Sequence, residues 1–99
     1  MEVQVSNKEA RMILDEKIDL SNSHLMKEKF LELLGQGYSN IVLDFTQVKM
    51  IDSSGLGKIL LFQKELREKG GSLKIIHITS DYVKKMFYMI HLDQVVDIE

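Results

Sequence analysis

The chain has 99 residues, no cysteine and no proline, 44% hydrophobic and 28% charged residues, and a formal net charge of −2. That length supports a single domain over residues 1–99, because folding at this size buries roughly 65% of the unfolded chain's surface, enough for one modest core. Scattered basic residues argue against direct nucleic-acid binding, and the lack of thiols excludes disulfides, thiolate metal sites and a cysteine nucleophile. The longest apolar run, Ile59 to Phe62, is far short of the ~18 residues of a spanning helix, so no membrane insertion and a cytoplasmic location are expected.

Val3 and Val5 flank Gln4 in a short alternating strand, Ser6 to Glu9 make a polar turn, and Ala10 to Leu14 form a second strand as its hairpin partner. Asp19 to Ser23 then offer capping residues. From about Asn22 to Leu34, residues Met26, Phe30, Leu33 and Leu34 share one helical face, and Gly35 and Gly37 end the helix. Ile41 to Phe45 reads as a buried strand. After Asp52-Ser53-Ser54-Gly55-Leu56-Gly57 comes a helix reaching Lys69, with Leu56, Ile59, Leu60, Gln63 and Leu66 as its apolar stripe and Gly70-Gly71 as its stop.

Leu73 to Ile78 is strand-like, and the adjacent Ile75 and Ile76 predict a strand covered on both faces. Thr79-Ser80-Asp81 supply a cap for a helix carrying Val83, Met86, Phe87 and Ile90. The cluster of Met86, Phe87, Met89 and Ile90 is expected in the core. Val95 to Ile98 closes the chain as a last strand. The order ββαβαβαβ, with right-handed crossovers, predicts an α/β fold whose mixed, mainly parallel sheet has helices packed against it. Turns Asp15 to Ser23 and Lys49 to Gly57 are expected side by side, where strands run into helices.

The serine turn has two readings. Asp and Ser cap helices by accepting backbone N–H bonds. Neighbouring hydroxyls at a helix start also make a place where a phosphate can change what the surface binds. Catalytic readings are weaker. No Gly-x-Ser-x-Gly surrounds Ser53, and Gly55-Leu56-Gly57-Lys58 lacks the glycine spacing and the following Ser/Thr of a phosphate loop. His24, His77 and His91 have no metal-ligand spacing, so neither a metal nor a cofactor is expected.

Ile41 to Phe45, Met50 to Gly57 and Gly70-Gly71, together with Ile18-Asp19 and Val83 to Ile98, resemble the STAS family, specifically bacterial anti-sigma factor antagonists, over nearly the whole chain. The resemblance implies a STAS fold and a non-enzymatic binding module. Unphosphorylated, such a protein binds an anti-sigma factor that is also a GHKL-type serine kinase, releasing sigma factor; phosphorylation ends binding, and a PP2C-type phosphatase restores it. The phosphorylated residue maps to Ser53, with Ser54 the less favoured neighbour. The implied partner surface comprises Asp19, Ser21, Asn22, Asp52, Ser53, Ser54, Gly55 and Lys58. Under it, Gly55 admits a kinase backbone or an unusual turn, Gly57 relieves packing of the helix start, and Lys58 meets the partner or pairs with Asp52. Two positions depart from the family: Glu16 replaces a common glycine, and Lys58 stands where relatives are often apolar. The alternatives are a STAS subunit of a larger signalling or lipid-transport assembly, and a small nucleotide-binding protein using the serine turn as a phosphate cradle.

Overall fold

A computed structural model describes all of residues 1–99. Its elements are β1 (Glu2–Val5), β2 (Ala10–Ile13), β3 (Lys17–Ile18), α1 (Ser23–Gly35), β4 (Asn40–Asp44), β5 (Met50–Ile51), α2 (Ser53–Glu68), β6 (Ser72–Ile76), α3 (Asp81–Met89), a 3-10 turn at Leu92–Gln94 and β7 (Asp97–Ile98). Five strands form the main sheet in the order β1-β2-β4-β6-β7; β1 and β2 are antiparallel and the remaining pairs parallel. Apart from β3 and β5, this is the ββαβαβαβ order and the mixed, mainly parallel α/β sheet expected from the sequence.

Strands join this sheet in sequence order, always on the same side of the preceding one, so right-handed crossovers place all the helices on a single face. The adjacent Ile75 and Ile76 of β6 are both buried, as expected, although helices cover only one face. Met12, Leu43 and Ile75 lie in one row across β2, β4 and β6 and belong to the helix-covered core. Val42 and Ile76 are on the opposite face, buried yet outside that core. Arg11 and Lys74 are the register neighbours of Val42 on this helix-free face, and side chains of this type can lay their aliphatic stems over an apolar neighbour.

Helix α1 buries Met26, Phe30 and Leu33 as its periodicity predicts. On α2 the buried set is Gly55, Ile59, Phe62 and Leu66, which corrects the predicted stripe: Leu60 is exposed and Phe62 is fully buried. At about 100° per residue, positions 55, 59, 62 and 66 fall on one narrow line, whereas 60 is turned well away from it. Phe62 stacks on Phe30 at 3.9 Å between ring centroids, joining the two helices. Gly70 ends α2 at φ +72°. Gly71 does more than end a helix, because a Cβ there would lie 1.9 Å from the Ser39 carbonyl oxygen.

Ser80 caps α3 by accepting the Val83 amide at 3.2 Å. Val83 and Phe87 enter the core, Phe87 meeting Phe45 edge-on. The helix stops at Met89, and His91 at φ +58° turns the chain into the 3-10 turn. Met89 and Ile90 are thus exposed rather than core, and the last strand is shortened to Asp97–Ile98. No helix is long and apolar enough to cross a membrane.

Candidate functional site

Two turns are brought together by strands too short to be read in the sequence. β3 and β5 pair in parallel, Lys17 with Met50 and Ile18 with Ile51, as a two-stranded unit apart from the main sheet. The Lys49 amide donates to the Glu16 carbonyl at 2.8 Å and the Asp52 amide to the Ile18 carbonyl at 3.0 Å, extending the pairing at both ends. Ile18-Asp19 and Ile51-Asp52 are therefore the same dipeptide at the same register, and this repeat was the signal available in the sequence. Side-by-side placement of the two turns is as expected.

In the first turn, the Asp19 carboxylate accepts the amide and hydroxyl of Ser21. Asn22 holds the N-cap position of α1 without capping it. Its Oδ1 accepts the Asp19 amide at 2.9 Å, and its Nδ2 donates to the Lys17 carbonyl at 2.7 Å. Ser21 and Asn22 thus shape the turn that presents Asp19.

The second turn is a helix cap. Asp52 has extended backbone, and its Oδ1 accepts the amides of Ser54 at 2.9 Å and Gly55 at 3.2 Å, together with the Ser54 hydroxyl. The Ser54 hydroxyl bond is the main reason the Asp52 carboxyl lies below its usual range; partial desolvation opposes it, and the Gly55, Ser54 and Leu20 amides add to it. Asp52 is accordingly charged at neutral pH.

The two serines differ. Ser54 is half-buried with its hydroxyl held by Asp52. Ser53, the first residue of α2, is exposed and its hydroxyl makes no hydrogen bond within the chain. Gly55 is buried, and a Cβ on it would sit 2.7 Å from both Ile18 Cγ2 and Ile51 Cγ1, so its missing side chain seats α2 on the β3–β5 pair rather than facing outward. Gly57, given that packing role from sequence, has open space around its Cβ position. Lys58 is half-buried and forms no ion pair, so its suggested pairing with Asp52 is not formed; the cation bridging the two turns is Lys49, 3.7 Å from Glu16.

Gly55 to Lys58 lie within α2, not in a loop, so they cannot wrap a phosphate as a Gly-rich loop does. No group of three or more His, Asp or Glu side chains is placed to hold a metal ion. Beside the paired turns is a cleft of about 310 Å³, lined in part by Asp19 and Asp52 and closed by Met50 and by Tyr82 of α3. Sequence reasoning missed Met50, placed by the β3–β5 pairing, and Tyr82, whose position depends on how α3 docks.

The STAS domain family profile matches residues 2–99. A Thermotoga maritima protein assigned as an anti-sigma factor antagonist is 31% identical over 85 residues, covering 85% of this chain and 74% of that protein. The anti-sigma-B factor antagonist of Bacillus subtilis is 26% identical, covering 99% of this chain and 88% of its own. Among solved structures, TM1081 of Thermotoga maritima superposes with a TM-score of 0.88 at 27% identity, covering 98% of this chain and 83% of that one. The anti-sigma factor antagonist SpoIIAA superposes with TM-scores of 0.79 unphosphorylated and 0.78 phosphorylated. Identities are 20% and 21%, and each alignment covers 99% of this chain, with 86% and 89% of the SpoIIAA chains.

Proposed function

The chain belongs to the STAS domain family, with the anti-sigma factor antagonists as its relatives, and from that membership we propose that it acts by partner switching controlled at Ser53. Unphosphorylated, it binds an anti-sigma factor with GHKL-type serine kinase activity and frees the sigma factor. Phosphate on Ser53 ends that binding, and a PP2C-type phosphatase restores it. Its role is regulatory rather than catalytic.

The observation that carries this reading is the contrast between the serines: a kinase needs a free hydroxyl, and Ser53 has one whereas Ser54 is engaged by Asp52. A phosphate adds about −1.5 to −2 charges. The Ser54 and Gly55 amides that a helix N-terminus would offer it already bind Asp52, so the phosphate stays on the surface beside a second negative charge. Those two amides of the helix start are therefore not free to take up the phosphate. A partner fitted to a neutral hydroxyl there meets like charge, which weakens association by roughly a hundredfold or more. The fold also matches SpoIIAA equally well in both states, which supports a switch that leaves the domain folded.

The test uses the anti-sigma kinase of the source genome, purified, with ATP and the full chain. Wild type and Ser54→Ala take up one phosphate at Ser53 and lose the complex. Ser53→Ala takes up none and keeps it. Phosphate appearing elsewhere in Ser53→Ala, or a complex indifferent to phosphate, overturns the proposal.

A further inference from the structure

Helix α3 is nine residues long and carries two apolar stripes. One, Val83 and Phe87, enters the core. The other runs Tyr82, Met86, Met89 and Ile90, spaced i, i+4, i+7 and i+8, and is largely in solvent: Tyr82 is 58% and Met89 79% exposed. Tyr82 lines both the cleft beside the paired turns and a second one of about 380 Å³ over the rest of this stripe, so the two adjoin at Tyr82 and together trace a furrow along α3. From Tyr82 to Met89 it follows α3 for about 10 Å, the length of two helical turns.

We propose that this furrow is where the anti-sigma factor lays an amphipathic helix, its apolar face on Tyr82 and Met89 and a Lys or Arg over Asp19 and Asp52. The proposal rests on the partner-switching reading and adds a second, apolar half to that interface. Continuity assigns the occupant: Asp19 and Asp52 are walls of the first cleft, so a protein covering Ser53 already stands at the furrow's head. Charge sets its direction, since the head carries two carboxylates against the one cation of Lys17, while Lys85 alone borders the far end. Methionines at the far end can adapt to the side chains of a docked helix face.

The test measures binding of the same purified anti-sigma factor to wild type, Ser53→Asp and the double variant Tyr82→Ser/Met89→Ser. Both substituted residues are exposed, so the double variant should melt within about 4 °C of wild type. We expect it to bind roughly tenfold or more weakly, with Ser53→Asp also weakened. If Ser53→Asp is weakened and the double variant binds like wild type, the furrow proposal falls and the switch reading stands. If wild type fails to bind, or Ser53→Asp binds equally well, the switch reading falls and takes the furrow with it. A wild-type dimer that the double variant converts to monomer would assign the furrow to a second copy of this chain and overturn the proposal.

Discussion

Gly55→Ala and Gly57→Ala are the same substitution two residues apart in α2, and the structure predicts opposite signs for them. At Gly55 the new Cβ would lie 2.7 Å from Ile18 Cγ2 and 2.7 Å from Ile51 Cγ1. Both are inner atoms of β-branched side chains in a fully packed layer, so relief requires α2 to lift from the β3–β5 pair. Overpacking of this kind costs about 1–3 kcal/mol, against a gain of ~0.5–1 kcal/mol for replacing glycine in a helix. The net is a loss of about 1–2 kcal/mol, which for a domain of this size lowers Tm by roughly 4–16 °C. At Gly57 the Cβ meets nothing within 4 Å, so only the helix gain operates and Tm should rise by a few degrees, about 2–8 °C. Thermal melts followed by circular dichroism separate the two. A Gly55→Ala protein melting at or above wild type would refute the close seating of α2 on the pair, and with it the account of how the start of α2 is fixed beside the first turn.

Gly71→Ala should be more damaging than either, by ~3 kcal/mol in urea unfolding, because its Cβ would meet the Ser39 carbonyl, which accepts the Ser72 amide where β4 and β6 begin to pair. Phe62→Ala removes the stacked partner of Phe30 and should lose about 3–5 kcal/mol, a large part of the ~5–15 kcal/mol available to a domain; guanidinium melts at fixed pH would measure it. Asp44 gives a pH signature. Its burial raises the carboxyl pKa, but the Thr46 hydroxyl and amide, then His77 and Arg11, outweigh burial and leave it below 3.8. A carboxyl depressed in the folded state stabilises above its unfolded pKa and loses that contribution as pH falls through the folded value. Urea midpoints should therefore drop below about pH 4, and Asp44→Asn should flatten that drop; an unchanged slope would contradict the Asp44–Thr46 bond.

Much of the fold was legible because it rests on local pattern. Met26, Phe30 and Leu33 repeat at helical spacing, Ile41 to Phe45 is a continuous apolar run, and Ser80 is a cap visible by residue type. What the sequence hid depends on pairs of distant segments. Two residues cannot show strand alternation, so β3 and β5 were unreadable singly although they set the site's geometry. Gly55 and Gly57 look alike until Ile18 and Ile51 are placed against one of them. Leu60 and Phe62 compete for one stripe on the α2 surface, and the Phe30 ring decides for Phe62. The serines were indistinguishable by physics until the Asp52 side chain took the Ser54 hydroxyl.

Asp52 serves as a cap and as a charge, and one substitution separates the two roles. Three of its side-chain bonds, from the Ser54 amide, the Ser54 hydroxyl and the Gly55 amide, end on Oδ1, and the Leu20 amide adds the smallest contribution. An asparagine in the same rotamer offers its own Oδ1 to all three, and Asn caps helices as well as Asp does. Asp52→Asn should therefore fold with a Tm close to wild type at neutral pH, whereas Asp52→Ala, which loses the acceptor, should melt lower. The carboxyl of Asp52 is also depressed, chiefly by Ser54, so wild type loses stability as acid protonates it while the asparagine variant has nothing there to protonate. Any neutral-pH advantage of wild type over Asp52→Asn should shrink as pH falls below about 4. Melts of the three proteins across that range decide the matter. If Asn is as damaging as Ala at neutral pH, the carboxylate charge itself holds the turn, and Asp52 could not then be tuned for the partner independently of the fold.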